Sequence, residues 1–385
     1  MTTRVSVRPK LLLWALDRSA TTPELLRKKL PKLPSWLSGE LSPTLKQLED
    51  FAKATNTPIG YLFLPEPPTE DVPIPDFRTV APEYRDRPSP DLLDTIYAMQ
   101  QRQAWLREER LEFGAGPFDF VGSAGLKDNP DAVGQEMRRA VGFEEGWAAK
   151  VRTWQEAVSE LRRTIENLGV MAVINGVVGN NTHRKLDVRE FRGFALCDSY
   201  APLIFVNGAD AKSAQMFTLA HELAHIWLGQ KGEGLSGFEF LTPAGGDVES
   251  FCDRAAAEFL IPERELRARW GEVCHSSKPF EVIARMFKVS PIVAGRRAMD
   301  LRLVDREAFF EFYDVYTKHE RVRMKGKGGG DFYKNQNTRV GELFAIHVMR
   351  AALEGRLGFK EAYDLTGLRG GAFQEYGRRL GFNLP

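Results

Sequence analysis

The run His221-Glu222-Leu223-Ala224-His225 sets two imidazoles four residues apart, with a carboxylate beside the first. On a helix this spacing puts both rings on one face, where they can grip one metal ion while Glu222 serves as a base toward water. Met216, Leu219, Ala220, Leu223, Ala224, Trp227 and Leu228 make the rest of the stretch apolar, which predicts one buried helix over Phe217–Leu228 that stops at Gly229. Buried polar side chains need partners, and one cation can serve all three.

A catalytic zinc usually takes a third protein ligand and leaves a position for water. One arrangement places a third His six residues after the second, with a Gly between; here those positions are Lys231 and Leu228. The other common solution is a carboxylate on a following helix, and Asp247–Pro262 is that helix, with Asp247 expected as its cap. Glu249 and Asp253 share a face at i,i+4. Glu249 can therefore bind the metal while Asp253 accepts the free N–H of a ligand histidine. Glu258 is a rival ligand, but it falls off the Glu249 face and is expected to point to solvent. An oxyanion-stabilising group is also expected; His275, His183 and Arg192 are the candidates, with His275 first.

The segments "FTLAHELAHIWLG" and "ESFCDRAAAEFLIP" together resemble the ImmA/IrrE family of metallopeptidases. Glu249, Asp253, Ala256, Ala257, Leu260 and Pro262 fall in register with that family's second motif, and Ala255 replaces its usual Phe. The resemblance covers about residues 150–300. It implies Zn²⁺ bound by His221, His225 and Glu249, with Glu222 as general base.

The elements that must position these groups are readable too. Thr153 with Glu156 three residues on forms a capping box, opening a helix that ends at Gly169. Gly169–Gly176, Glu190–Leu196 and Pro202–Val206 read as short strands rich in Val, Ile and Phe. "PLIFVN", just before the motif helix, resembles the edge strand on which zincins pair an extended peptide. The fold class expected is α+β and mostly helical: a zincin-like core with a small mixed sheet, flanked by helical segments.

Hydrophobic content of 43% and charged content of 27% are those of an ordinary globular chain, and 385 residues suggest more than one domain. The longest early apolar run, Leu11–Leu16, is too short for a signal peptide or a membrane span. Three cysteines, Cys197, Cys252 and Cys274, show no paired spacing, so a reduced, cytoplasmic location is expected. The net charge of +1 conceals a split: residues 1–65 carry ten Lys/Arg against five Asp/Glu, and residues 318–385 thirteen against seven. The remainder carries thirty against forty. Basic ends suit nucleic acid, an acidic protein or the acidic middle of the same chain.

Residues 8–63 predict four or five short helices. "SWLSGELSPTLKQLEDFAKATNTPIGYLFL" is similar to the XRE-type helix-turn-helix family through Gly39, Glu40, Pro43, Thr44, Leu45, Leu48, Ala52, Pro58, Leu62 and Phe63, whose apolar members are expected in the core. That resemblance implies a recognition helix near Lys29–Leu37, in which Pro31 and Pro34 are a departure. Arg27, Lys28, Lys29 and Lys32 are placed to touch phosphates, whereas no Gln, Asn or Arg is placed to read bases; Trp36 is expected in the core.

The expected division is residues 1–65 as this module, 66–88 as a Pro-rich linker and 89–145 as a helical connector striped by Leu93, Ile96, Met99 and Leu106. A peptidase domain is expected at 146–318 and a small helical domain at 331–385. Within 277–303 a second helix-turn-helix-like pattern reads as scaffolding, and "KGKGGG" at 325–330 as a hinge. The functional expectation is a zinc endopeptidase acting on a regulatory protein or a toxin-like partner, with DNA a possible second partner of residues 1–65 and no membrane. The alternative is an antitoxin-like or regulatory binding protein with little or no proteolysis.

Overall fold

The computed structural model describes residues 4–19, 23–70, 88–229, 246–323 and 336–383. These fall into two compact units, residues 4–70 with 88–96, and residues 97–383. The expected connector at 89–145 divides between them: its first residues, to Ile96, fall in the first unit and the rest, from Tyr97, in the second.

In the first unit, α1 (Pro9–Arg18), α2 (Pro23–Lys29), α3 (Leu33–Leu37), α4 (Leu45–Ala54) and a 3₁₀ turn (Ile59–Phe63) surround Leu11, Leu12, Leu33, Trp36, Leu48, Phe51 and Leu62. Thr44 caps α4 in a reciprocal box with Gln47. The apolar pattern has exceptions: Leu45 is 49% and Phe63 51% exposed, and Pro58 is exposed as well. The recognition helix expected over Lys29–Leu37 does not form as one element. α2 ends at Lys29, Pro31 lies in a turn, and α3 starts afresh with Pro34 in its first turn, where a missing N–H costs nothing. The start of the expected linker is fastened to this unit, since Arg18 grips the Glu70 carboxylate at 2.5 and 2.8 Å and Lys10 pairs with Glu66. The rest of the expected linker up to residue 87 and the KGKGGG segment lie outside the described residues.

The second unit is α+β. Its helices begin with the part of α5 (Pro90–Glu112) from Tyr97 onward, followed by α6 (Pro130–Ala140) and α7 (Trp154–Asn167). Five strands follow: β1 (Met171–Asn175), β2 (Val177–Val178), β3 (Asn181–Lys185), β4 (Gly193–Leu196) and β5 (Leu203–Asn207). β2 and β3 form a hairpin, and the other three form a sheet in the order β1-β5-β4, with β1 parallel and β4 antiparallel to β5. This corrects one expectation. β5, the "PLIFVN" strand, is central with both edges paired, and β4 is an edge of the described sheet. Burial of all five β5 residues accords with a strand enclosed on both sides.

Then come α8 (Lys212–Leu228), α9 (Asp247–Leu260), α10 (Glu263–Val273), α11 (Pro279–Phe287), α12 (Pro291–Asp300) and α13 (Arg306–Arg323). α8 is the motif helix. It is buried from Gln215 to Leu228 and ends at Gly229, whose φ of 66° is a left-handed value. The loop before α6 crosses that end: the Gly122 and Ala124 amides donate to the Ile226 and Trp227 carbonyls at 3.1 and 3.0 Å. A Cβ at Gly229 would lie 2.4 Å from the Gly122 Cα, so side-chain-free backbone is required there.

Ile283, Ala284, Phe287, Val289 and Val293, from the second helix-turn-helix-like pattern, join the same core as α8, as scaffolding should. The chain closes with a π-helical turn (Asn337–Gly341), α14 (Glu342–Leu353), α15 (Phe359–Thr366) and α16 (Gly371–Arg379). The π-helical turn gives way to α14 at Gly341, where a φ of 86° lets the backbone approach the Glu166 carboxylate and Met171. Buried Arg102 of α5 donates to the Leu365 and Arg339 carbonyls at 2.9 and 3.0 Å, tying these helices to the rest of the unit. No helix among the described residues is long and apolar enough to cross a membrane.

Candidate metal centre

The motif helix brings His221, Glu222 and His225 into the interior, and α9 delivers the carboxylates. Gly246, in an extended conformation, is the cap of α9, and Asp247 is its first helical residue rather than the cap expected. α6 packs closely on α9: a Cβ at Gly134 would sit 2.4 Å from the Ala255 carbonyl oxygen, so glycine is what allows this close helix crossing.

The Nε2 atoms of His221 and His225 are 3.1 Å apart. Glu249 places Oε2 3.3 Å from the first and Oε1 3.3 Å from the second. Three donors held by one tetrahedral zinc at bond lengths near 2.05 Å must stand about 3.3–3.4 Å apart. The Nε2–Nε2 separation, and the distance from each ring to one or the other oxygen of Glu249, are close to that spacing, and two imidazoles with one carboxylate form a donor set suited to zinc. The residues present therefore fit the ion. Asp253 lies one turn beyond Glu249, with Oδ1 2.9 Å from His221 Nδ1, the atom facing away from the donor triangle. Among the described residues no carboxylate stands at a comparable distance from His225 Nδ1, so only the His221 ring has one behind it.

The electrostatics point the same way. Burial opposes ionisation of Glu249, yet hydrogen bonding and the charges of His221 and His225 outweigh it and hold the carboxyl far below its ordinary range. Burial also disfavours a cationic His221, but Asp253 and Glu249 overcome this and raise its pKa well above the usual imidazole value. The pocket is thus built to hold positive charge between carboxylates.

Glu222 is fully buried on α8 and lies under β4. A Cβ on Gly193 would meet the Thr218 methyl at 2.5 Å, the Phe205 carbonyl oxygen at 2.9 Å and Glu222 Oε1 at 3.1 Å. Glycine there is what lets the strand lie over Glu222. Sequence reasoning missed Gly193, although a lone Gly in a strand pattern does mark close backbone approach. It also missed Gln103, which donates to the Leu196 and Ala201 carbonyls at 2.7 and 2.9 Å and so anchors the strand's far end.

The remaining candidates stand apart from this cluster. Glu258 is not a solvent-facing residue: it is buried, paired with Arg297, and accepts from Gln135 at 2.9 Å and from the Glu263 amide at 3.1 Å. That network locks α9 to α6 and α12 and leaves Glu258 outside the donor triangle. His275 is exposed beyond the end of α10, and His183 is exposed on β3. Arg192 is half-buried and pairs with Asp210 at 3.4 Å. None of the three belongs to the group of converging donors. In the first unit, Arg27, Lys28, Lys29 and Lys32 are all exposed on α2 and the turn after it, whereas Trp36 is core.

Comparison with known proteins adds two matches. The family model for a domain of unknown function (DUF8813) matches residues 340–379. No curated protein and no solved structure matches the chain. Residues 165–299, which include the sheet, the motif helix and all three converging donors, match the IrrE N-terminal-like domain of the M78 peptidases, so this part of the chain is similar to the ImmA/IrrE family.

Proposed function

We propose that the second unit is a zinc-dependent endopeptidase acting on a regulatory protein, and that the first unit serves to reach its target. The observation that carries the reading is the convergence of His221, His225 and Glu249, with a buried carboxylate, Glu222, on the helix that supplies the two histidines. His221, His225 and Glu249 would hold the zinc ion, which would supply Lewis-acid polarisation of a peptide carbonyl and a lowered pKa for water. Glu222 takes the proton from the attacking water and delivers it to the leaving amine nitrogen. Asp253 keeps the His221 ring turned so that Nε2 faces the donor triangle.

β4 suits a docking strand for an extended substrate. The Asn207 amide donates to the Arg192 carbonyl, so the alternating antiparallel pattern turns Phe194 and Leu196 toward β5 and the backbone groups of Gly193 and Ala195 to the outer edge. A peptide paired there runs past Glu222, which lies beneath Gly193. Of the three donors, Glu249 is the only one with appreciable side-chain exposure, at 16%, so its side is the open approach.

The alternative is an antitoxin-like or regulatory binding protein with little or no proteolysis. Its support is the row of exposed cations on the first unit, which suits an acidic protein or nucleic acid. The break between α2 and α3 favours a protein over a base-reading role. The two readings separate on a pull-down of Glu222→Gln protein from its host, beside wild type. A partner intact on the variant and clipped with wild type supports the peptidase; the same intact partner on both supports the binder.

A further inference from the structure

A second concave site lies at the other end of the motif helix. A cleft of about 570 Å³ is walled by α7, α8, α11, α12 and α13, with Trp154 and Tyr316 as its aromatic sides. This volume is within the range of small-molecule pockets, roughly 300–1,000 Å³. It is far larger than a bare phosphate needs.

The charges around the cleft are unbalanced. Lys278 is neutralised by Glu281 at 3.0 Å, but Lys212 and Arg285 have no carboxylate partner among the described residues. The Lys212 ammonium donates instead to the neutral Gln215 amide oxygen at 3.0 Å. Burial lowers the Lys212 pKa with no charge to offset it, which is the condition that a bound anion would relieve. Nearby Lys288 is also buried and is held by two carbonyls, those of Ala148 and Arg285, with its ammonium 5.9 Å from the Trp154 ring centre. Lys212 and Ser213 open the 17-residue α8, which has no side-chain cap, so the positive end of a long helix adds to the same field.

We propose that this cleft binds a phosphorylated small molecule of nucleotide size, its phosphate against Lys212 and Arg285 and its flat part between Trp154 and Tyr316. The site is distinct from the metal centre. His221 lies nine residues along α8 from Lys212, about 13 Å at 1.5 Å per residue. A ligand here would brace the start of the helix that carries the metal donors.

The test is isothermal calorimetry on the full chain with adenosine 5′-monophosphate, pyrophosphate and adenosine; it reads binding alone and is independent of any peptidase activity. The nucleotide should bind, pyrophosphate should bind at least tenfold more weakly, and adenosine should give no heat. Lys212→Gln and Arg285→Gln should each weaken nucleotide binding by about tenfold or more, the loss of one charge-assisted hydrogen bond. Lys360→Gln, an exposed position on α15, should change nothing. Arg285 is exposed, so its variant tests the site even if Lys212→Gln fails to fold. Absence of nucleotide binding to wild type, or binding indifferent to both variants, overturns the proposal. Pyrophosphate binding as tight as the nucleotide overturns the role given to the aromatic walls.

Discussion

Replacing Asp253 by Asn removes a charge from the metal centre while keeping the shape of the side chain. Asp253 Oδ1 is 2.9 Å from His221 Nδ1, and among the described residues no carboxylate stands at a comparable distance from His225 Nδ1. Loss of a partner behind a ligand histidine costs ten- to a hundredfold in metal affinity, or about 1.4–2.7 kcal/mol. The Asp253 side chain is 48% exposed, so water screens its charge and competes for the imidazole N–H. That places the effect at the low end, about tenfold. The Asn amide can still accept from the ring through its oxygen, which also argues against the full hundredfold. Competition with a chromophoric chelator gives the zinc affinity directly. Glu249→Gln, measured beside it, should be far weaker because a ligand is lost. An Asp253→Asn affinity equal to wild type would refute the orienting role. A loss as large as that of Glu249→Gln would refute the assignment of ligands, since Asp253 would then itself be a donor.

Other expectations follow from the same geometry. Gly193→Ala should destabilise the protein by about 1–3 kcal/mol through overpacking against Thr218 and the Phe205 carbonyl. Adding Thr218→Ser should recover part of this, read from denaturant midpoints, because only the methyl contact is relieved. Arg297→Met should cost about 3–5 kcal/mol in unfolding free energy by stranding the buried Glu258 carboxylate; a near-neutral result would remove the lock between α9 and α12. Burial pushes the Glu166 carboxyl up to about 7 despite Arg162. The folded chain thus holds this proton to higher pH than the unfolded chain does. Its contribution to stability is full below the unfolded value and falls as pH rises toward 7. Melting temperatures of wild type should therefore drop more between pH 5 and 8 than those of Glu166→Gln; parallel curves would show that Glu166 stays ionised against Arg162.

The centre was legible in the sequence because each of its parts has a local signature. His221 and His225 share a face by helical period alone, Gly229 marks the helix end, and the four-residue step from Glu249 to Asp253 places both carboxylates on one face of α9. Features set by distant partners were not legible. Glu258 looked like a surface residue because Arg297, 39 positions later, is what makes its burial tolerable. β5 looked like an edge because its sequence, apolar from Leu203 to Val206, does not say that β4 and β1 take its two sides. Leu45 and Phe63 read as core from their type, whereas their exposure depends on how short helices rotate about one another. The break between α2 and α3, by contrast, follows from the backbone chemistry of Pro31 and Pro34.

The central claim is that His221, His225 and Glu249 hold one zinc ion. Elemental analysis of purified wild-type protein after dialysis, beside His225→Ala and Glu249→Gln, tests it most directly. The account predicts about one zinc per wild-type chain and a large loss from both variants, with circular dichroism unchanged. A metal-free wild-type protein that takes up no added zinc, or full zinc retention in both variants, would contradict it.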